Sequence, residues 1–445
     1  MRRKRLYAVV ITVTIVKFFI FARSAKMPRA WRKGVDVSNE VRAQCPVDHT
    51  AISQRKTTRS HEPAGKPVER DAEGVWHVRG YAQARAVLRS ADTKQAGFNA
   101  ELLEKMPQKM RPPILYQEGQ PHHEQRRQTA RFFSPRTVSE NYRGLMEELA
   151  GRAIRRLLRE RRADLATLSM ELAVGVAGRV VGLTESRLPG MARRLDAFFE
   201  GDMIGFGWNP RALLGFARNQ ARVAAFFYLD VKPAIEARRK EPRQDVISHL
   251  LSRGYGDAEI LTECITYGAA GMATTREFIS IAAWHMLEQP ALRERYLHGD
   301  EGERHDVLGE ILRLEPVVGH LYRRATADLY LDGGGELLTI PKGSLIALDT
   351  YAVNADEAAV GECPLALMPG RELLAERLGP PVMSFGDGHH RCPGYYVALQ
   401  ETDIFLTRLL SLKDLYIERK PSVSWNDLIA GYELRGFVIA VDQVR

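Results

Sequence analysis

The sequence has little cysteine. Four residues, Cys45, Cys264, Cys363 and Cys392, are scattered over 445, and no two stand in a Cys-x-x-Cys spacing. That excludes a disulfide framework and fits a reducing compartment. The net charge is +9, but no zinc-finger spacing, RNA-binding aromatic signature or basic low-complexity tail accompanies it. The basic balance therefore does not point to nucleic acid. It leaves an anionic membrane or an acidic protein partner. The densest basic cluster (Arg152, Arg155, Arg156, Arg159, Arg161, Arg162) would spread around several faces of a helix and reads as solvated surface. After residue 35 there is no internal repeat and no low-complexity linker. The apolar run from Leu6 to Phe21 is broken by Lys17. It is short of the roughly 20 residues of a spanning helix.

Residues 1–34 stand apart as a basic and apolar extension, and 35–445 read as one domain. The extension fits three readings. It is a membrane anchor through residues 6–21, with the basic Met1–Arg5 end inside. It is a cleaved signal, against which Arg23 stands at the minus-three position of Arg23-Ser24-Ala25. Or the natural chain starts at Met27, after which the text reads as an ordinary polar N-terminus.

With 45% hydrophobic residues the chain can bury a large core. Periodicity predicts a strand at Val75–Val78 and a helix from Tyr81 to Ser90. Long helices follow over roughly 136–162, 164–182, 188–200, 211–238, 257–288 and 302–314. Strand signals cluster late, at Leu329–Leu331, Leu338–Ile340, Leu345–Leu348 and Phe437–Val441. The fold class expected is mainly α with small β-sheets. Glu200 to Pro210, with three glycines, is a candidate lid.

One cysteine has a special setting. Ser384-Phe-Gly-Asp-Gly-His-His-Arg-Cys392-Pro-Gly394 leads into an apolar-periodic helix carrying Leu399, Leu406 and Leu410. It describes a glycine-rich loop presenting one thiolate at a helix N-terminus, where backbone N–H groups and the helix dipole favour negative charge. Phe385 is placed to pack beside the sulfur. A zinc site on His389, His390 and Cys392 lacks a fourth ligand at local spacing.

This segment resembles the haem-binding loop of the cytochrome P-450 family at all six defined positions, Phe385, Gly386, Gly388, His390, Cys392 and Gly394. Ala398 and Glu401 also stand where the bacterial members carry them. The resemblance extends over about 45–445 and implies a single-domain, triangular, mostly helical fold. It implies haem b with Cys392 as the axial iron ligand. It makes His123, Arg127, Arg323 and His390 partners of the haem propionates. Two buried carboxylates need such cationic or N–H donors. It makes Glu310, Arg313 and Arg371 a buried charged brace behind the cysteine loop. Asn354-Ala-Asp356 departs from the family's Asn-Arg-Asp.

Gly268-Ala-Ala-Gly271-Met-Ala273-Thr274 resembles the family's oxygen-binding helix. Thr274 can return its hydroxyl to a backbone carbonyl and open a groove. The family's acid is missing, since Ala273 occupies its place. Glu277, one turn beyond Thr274, is the substitute nominated for proton delivery, with Glu401 and ordered water beside it. The implied activity is a monooxygenase inserting one oxygen atom of O2 into a small apolar substrate. Its electrons come from NAD(P)H through a separate ferredoxin or flavodoxin, because no flavin or NADPH domain fits in the chain. A peroxygenase or isomerase is the alternative enzyme, and a haem sensor the non-catalytic one; Thr274 argues against the sensor. Candidate pocket residues are Val317, Val318, Gly319, Leu434 and the 201–210 segment. The location implied is cytoplasmic, or cytoplasmic on a membrane anchor.

Overall fold

The computed structural model describes residues 54–57, 65–98, 100, 110–199, 210–375, 378–426 and 430–442. The N-terminal extension and the candidate lid up to Pro210 lie outside them.

The helices are α1 (Tyr81–Arg89), α2 (Gly119–Thr129), α3 (Arg143–Glu160), α4 (Leu165–Val181), α5 (Met191–Phe199), α6 (Pro210–Phe226) and α7 (Lys232–Lys240). They continue with α8 (Val246–Ser252), α9 (Asp257–Tyr267), α10 (Thr274–Glu288), α11 (Pro290–His298), α12 (Glu301–Leu314) and α13 (Tyr395–Leu410). Local chemistry sets several starts. Asp164 accepts from Thr167 N at 3.1 Å and opens α4. Asp300 and Glu303 form a reciprocal capping box at 2.9 and 3.0 Å and open α12. Three stretches expected as continuous helices are interrupted by a π-turn. These are Val138–Tyr142, Phe227–Val231 and Gly268–Ala273. Such turns insert a single residue into the helical ladder, a local phase shift too short for a periodic pattern read over a long helix to locate.

The largest sheet has the order β1-β2-β8-β5-β3, from Val68–Arg70, Trp76–Val78, Leu345–Asp349, His320–Ala325 and Thr93–Ala96. β2 and β8 pair in parallel, with Val78 opposite Leu348. β6 (Leu329–Asp332) and β7 (Leu337–Ile340) form a hairpin, as do β10 (Ser422–Asn426) and β11 (Gly431–Arg435). β4 (Arg162–Asp164), β12 (Val438–Val441) and β9 (Leu415–Arg419) make the remaining sheet. The core has two parts. The helical part surrounds α4, α10 and α13 with Leu168, Ile279, Phe405 and Leu406 at its centre. A smaller part under the main sheet holds Val78, Leu88, Ile346 and Leu348. The predicted strands and helices that fall on described residues are present, in a mainly helical fold with small sheets. The arginine cluster on α3 is solvated surface, with Arg152 and Arg156 paired to Glu148 and Glu160 one turn away.

Candidate haem site

Cys392 sits just before α13, on a loop held from both ends. Its N–H donates to the Phe385 carbonyl at 2.8 Å, and Gly386 N donates to Met383 O at 2.8 Å. Gly386 and Gly388 have φ of +67° and +66°, a region that favours glycine. A side chain at Gly388 would also collide with the Leu88 carbonyl of α1. Asp387 fastens the loop to α1 by accepting from Arg89 Nε at 2.7 Å and Nη2 at 3.1 Å. The Phe385 ring meets Tyr395 edge-on at 4.8 Å. Burial pushes the Cys392 thiol up, while the N–H groups of Gly394 and Tyr395 and the charges of Arg126 and Arg391 favour the thiolate. A bound cation settles that balance, because a coordinating thiol is deprotonated outright.

α2 supplies a basic row beside this loop. His123 and Arg127 are exposed, and His123 Nε2 meets His389 Nδ1 at 3.0 Å. His122 is buried instead, stacked on His390 with ring centres 4.1 Å apart. Arg126 donates to the Arg391 carbonyl. The consecutive pairs His122-His123 and Arg126-Arg127 each offer an i, i+4 combination, and only the buried face of α2 distinguishes them. Gln125 and Thr129, buried with His122 at helical spacing, carried that signal.

From β5, Arg323 reaches the same place. It is buried, and its Nη1 donates to Gln95 Oε1 at 2.8 Å. Burial pushes Arg323, Arg126 and His390 down, and pushes His122 down to about 3. Four basic groups thus face one another under strong desolvation. One carboxylate relieves them. Glu118 accepts from His390 Nε2 at 3.0 Å and lies 3.9 Å from Arg323. Its burial would raise it, but the His390 hydrogen bond and charge outweigh that and hold it below the usual carboxylate range.

Gly268–Ala273 is the π-turn, and Thr274 Oγ1 donates to Ala270 O at 2.6 Å, the expected back-bond. Ala270 is exposed and Thr274 half-buried, whereas most of the helix that follows is buried. Glu277 is engaged elsewhere. Its carboxylate is wholly buried and accepts from Arg276 Nε at 2.8 Å, Arg435 Nη1 at 2.7 Å and Leu434 N at 2.8 Å. With its lone pairs committed to three donors it is a structural clasp, which corrects the nomination of Glu277 for proton delivery. Glu401 is different. Burial pushes it well above the carboxylate range against a Thr275 hydrogen bond, and its Oε2 has no partner.

The brace is assembled. Arg313 Nε and Nη2 donate to Glu310 at 2.7 and 2.8 Å, and Arg371 Nε to Glu310 at 3.3 Å. Arg313 also holds the carbonyls of Asn354 and Pro364 at 2.9 and 2.6 Å. Asn354 is the connecting residue. Its Nδ2 donates to Arg313 O at 3.1 Å and Ser384 Oγ at 2.8 Å, and its Oδ1 accepts from Met383 N at 2.8 Å. The brace is thereby joined to the first residue of the cysteine loop. Val318 forms a β-bridge with Gly431, so the pocket residues Val317–Gly319 adjoin the hairpin bearing Leu434.

These residues fit a planar dianionic cofactor. Two buried basic nitrogens, His122 Nδ1 and Arg323 Nε, lack a hydrogen-bond partner. They lie with Arg126 and His390 in a desolvated cluster that already draws in one carboxylate. Cys392 stands beside it on a glycine loop.

The comparisons agree. The family profile described as Cytochrome P450 matches residues 305–420, which span the brace and the cysteine loop. The biotin biosynthesis cytochrome P450 of Bacillus subtilis is 25% identical over 368 residues, 79% of this chain and 85% of that one. Cytochrome P450-SOY of Streptomyces griseus is 28% identical over 82% of this chain and 88% of that one. Among solved structures, P450BioI in complex with hexadec-9Z-enoic acid ligated acyl carrier protein has a TM-score of 0.67 at 23% identity. That match covers 84% of this chain and 94% of P450BioI. CYP109B1 of Bacillus subtilis has a TM-score of 0.65 at 23% identity, over 84% and 96%. Over about four fifths of its length the chain is similar to bacterial cytochromes P450, whose fold it shares, and residues 305–420 match that family's profile, which supports a haem-dependent monooxygenase.

Proposed function

We propose that Cys392 is the axial ligand of the haem, that His122, Arg126, Arg323 and His390 hold its propionates, and that the substrate is a small apolar molecule. The supporting observation is the desolvated basic cluster, with its two unpartnered nitrogens, beside a cysteine at a helix N-terminus. When bound, haem b supplies the activation of O2 and the transfer of one oxygen atom to the substrate. The chain does the rest. Phe385 shields the sulfur from water. The Thr274 hydroxyl sits at the rim of the π-turn and can hand on a proton. Glu401, whose burial favours the protonated carboxyl and which is bonded to Thr275 next to Thr274, is the acid that would stand in for the one missing at Ala273. Val317, Val318 and Leu434 give the substrate side its apolar character.

The electron donor is a small acidic ferredoxin or flavodoxin. Arg127 on α2, Arg131 in the turn that follows it and Arg391 on the cysteine loop are exposed, and such a face steers an acidic partner towards Cys392. Arg127 is thus assigned to docking rather than to the cofactor. The location we infer is the cytoplasm, with an anchor through residues 6–21 as the second reading. Among the described residues no helix is long and apolar enough to cross a membrane.

Ala273 favours a second chemistry, peroxide-driven or redox-neutral, in which donor-supplied protons are not needed. The test is turnover of an apolar substrate panel with NAD(P)H and a surrogate ferredoxin system, against turnover with peroxide. Product that depends on NAD(P)H supports the monooxygenase. Product with peroxide alone supports the peroxygenase. In the same protein Cys392→Ser and Cys392→His should abolish the red-shifted carbon-monoxide band of a thiolate haem, and survival of that band would remove Cys392 from the iron.

A further inference from the structure

Two residues beyond Thr274, the central helix carries a cation that the chemistry above does not use. Arg276 is 3% exposed. Its Nη1 donates to Asp196 of α5, its Nε to Glu277 at 2.8 Å, and its Nη2 lies 3.9 Å from Glu433. Glu277 in turn accepts from Arg435 Nη1 at 2.7 Å and from the Leu434 amide at 2.8 Å. Arg435 Nη2 reaches Glu433 at 3.1 Å, and Asn426 Nδ2 donates to Glu433 at 2.8 Å. One network of two guanidiniums and three carboxylates therefore joins α5, α10 and the β10–β11 hairpin. Burial alone would lower Arg276, but Glu277 and Asp196 outweigh it and hold the guanidinium charged.

The three elements meet around the π-turn and the helix that follows it. α5 packs on the π-turn Gly268–Ala273, and β11 packs on α10. The hairpin brings Leu434 beside Val318. α5 is fixed on its other side too. Arg194, two positions before Asp196 and so about 200° around the helix, donates to the buried Asp230 at 2.9 and 2.6 Å. The Asp196–Arg276 bond is thus the tie between α5 and the oxygen-handling helix, and it is separable from the rest of the α5 anchorage.

We propose that Arg276 is a positioning residue, whose bonds to Asp196 on one side and to Glu277, Arg435 and the Leu434 amide on the other couple the seating of a bulky ligand to the π-turn that carries Thr274. The inference rests on the haem reading only for where the ligand lies. A small ligand touches neither α5 nor the hairpin and is indifferent to the network; a large one bears on both.

The test uses the haem-loaded full chain with Asp196→Asn, Arg276→Gln and the double variant. Asp196 is partly exposed and Arg194–Asp230 remains, so Asp196→Asn keeps α5 folded. N-benzylimidazole and imidazole are titrated by the haem absorption band, and hydrogen exchange is followed in 191–199, 268–273 and 431–435. The expected result is about tenfold weaker N-benzylimidazole binding in Asp196→Asn, imidazole within about twofold of wild type, and no further loss in the double variant. Exchange should quicken in all three segments. Faster exchange in 191–199 alone, or equal loss for both ligands, overturns the coupling. If neither azole binds the wild type, the haem reading fails, and the exchange of the three segments still decides the coupling.

Discussion

Glu277 and Glu401 show how two buried acids near one threonine take different roles. Both could be nominated from the sequence, and spacing favoured Glu277. Spacing does not reveal that Arg276, Arg435 and the Leu434 amide consume its lone pairs, since two of these donors come from a hairpin more than 150 residues away. Glu401 has no guanidinium beside it, its Oε2 is without a partner, and burial favours its protonated form. Glu401→Gln should therefore lower product per NAD(P)H and raise peroxide. The fall should lie towards the lower end of the roughly 10²–10⁴-fold that a positioned acid contributes. With a small substrate, which does not engage the α5–hairpin network, Glu277→Gln should leave product per NAD(P)H unchanged and instead lower thermal stability, because Arg276 and Arg435 lose a charged partner. The reverse pattern would return the relay to Glu277. A third acid, Glu263 of α9, bears on stability. It is buried, accepts from Ile114 N and Gln125 Nε2 at 3.0 Å each, and burial raises it to about 7. The folded pKa lies above the unfolded one, so its contribution is complete below about pH 4.5 and is lost as pH rises through 7. The difference is on the order of 3 kcal/mol. Glu263→Gln should gain stability over wild type between pH 4.5 and 8 and show little difference at pH 4. A gap that stays constant with pH would mean that Glu263 is not protonated in the folded protein.

At the scale of elements, the cysteine loop and the brace were legible because their residues are local or matched a fixed pattern, Phe385 to Gly394 and Glu310 with Arg313. The π-turn at Gly268–Ala273 was anticipated only as a groove beside Thr274. On α2 the doubled histidines and arginines offer two i, i+4 pairs, and only tertiary burial, which falls on His122, tells them apart. Asn354 was legible only as one residue of a motif that departs from the family at Ala355, and its amide joins Arg313 to Ser384 across residues distant in sequence. The brace should consequently fail as a unit. Glu310→Ala and Arg313→Ala each leave a buried charge without its partner, a loss of about 3–5 kcal/mol. Both should yield protein that retains little haem. Asn354→Ala removes the link without stranding a charge. It should cost less stability, on the order of 1–3 kcal/mol for the buried groups it leaves unpaired, yet still weaken haem retention. Measuring haem content and thermal midpoint together separates the two effects. Normal haem content in Asn354→Ala would show that the brace does not act on the loop through this residue.

For the whole molecule, the order of helices and late strands followed from periodicity, while the long-range sutures did not, because nothing local records them. The clearest suture involves residues 54–57. Glu315, at the end of α12, is wholly buried and accepts from the amides of Lys56 and Thr57, from the Thr57 hydroxyl, and from His285 Nε2 at 3.0 Å. Thr57 also meets Tyr351 OH at 2.9 Å, Arg55 donates to Tyr351 O at 2.7 Å, and Gln54 pairs with Leu365 O and Leu367 N at 3.2 and 3.0 Å. This short segment therefore supplies most of the donors to a buried carboxylate that terminates the helix bearing Glu310 and Arg313. A chain starting at Met27 keeps every one of these bonds and should match the full chain in thermal midpoint and haem content. A chain starting at Gly65 leaves Glu315 with His285 as its remaining donor among the contacts described. It should lose about 3–5 kcal/mol, the range for a buried charge deprived of its partners, and should hold less haem as the end of α12 loosens. Glu315→Gln in the shorter chain removes the stranded charge and should recover part of that loss, while in the full chain the same change should destabilise by discarding good acceptors. Equal midpoints for the two truncated chains would mean that the segment is only laid on the surface. A loss that Glu315→Gln does not relieve would assign the effect to packing around Tyr351 and Trp284, over which the Lys56 ammonium lies at 4.9 Å.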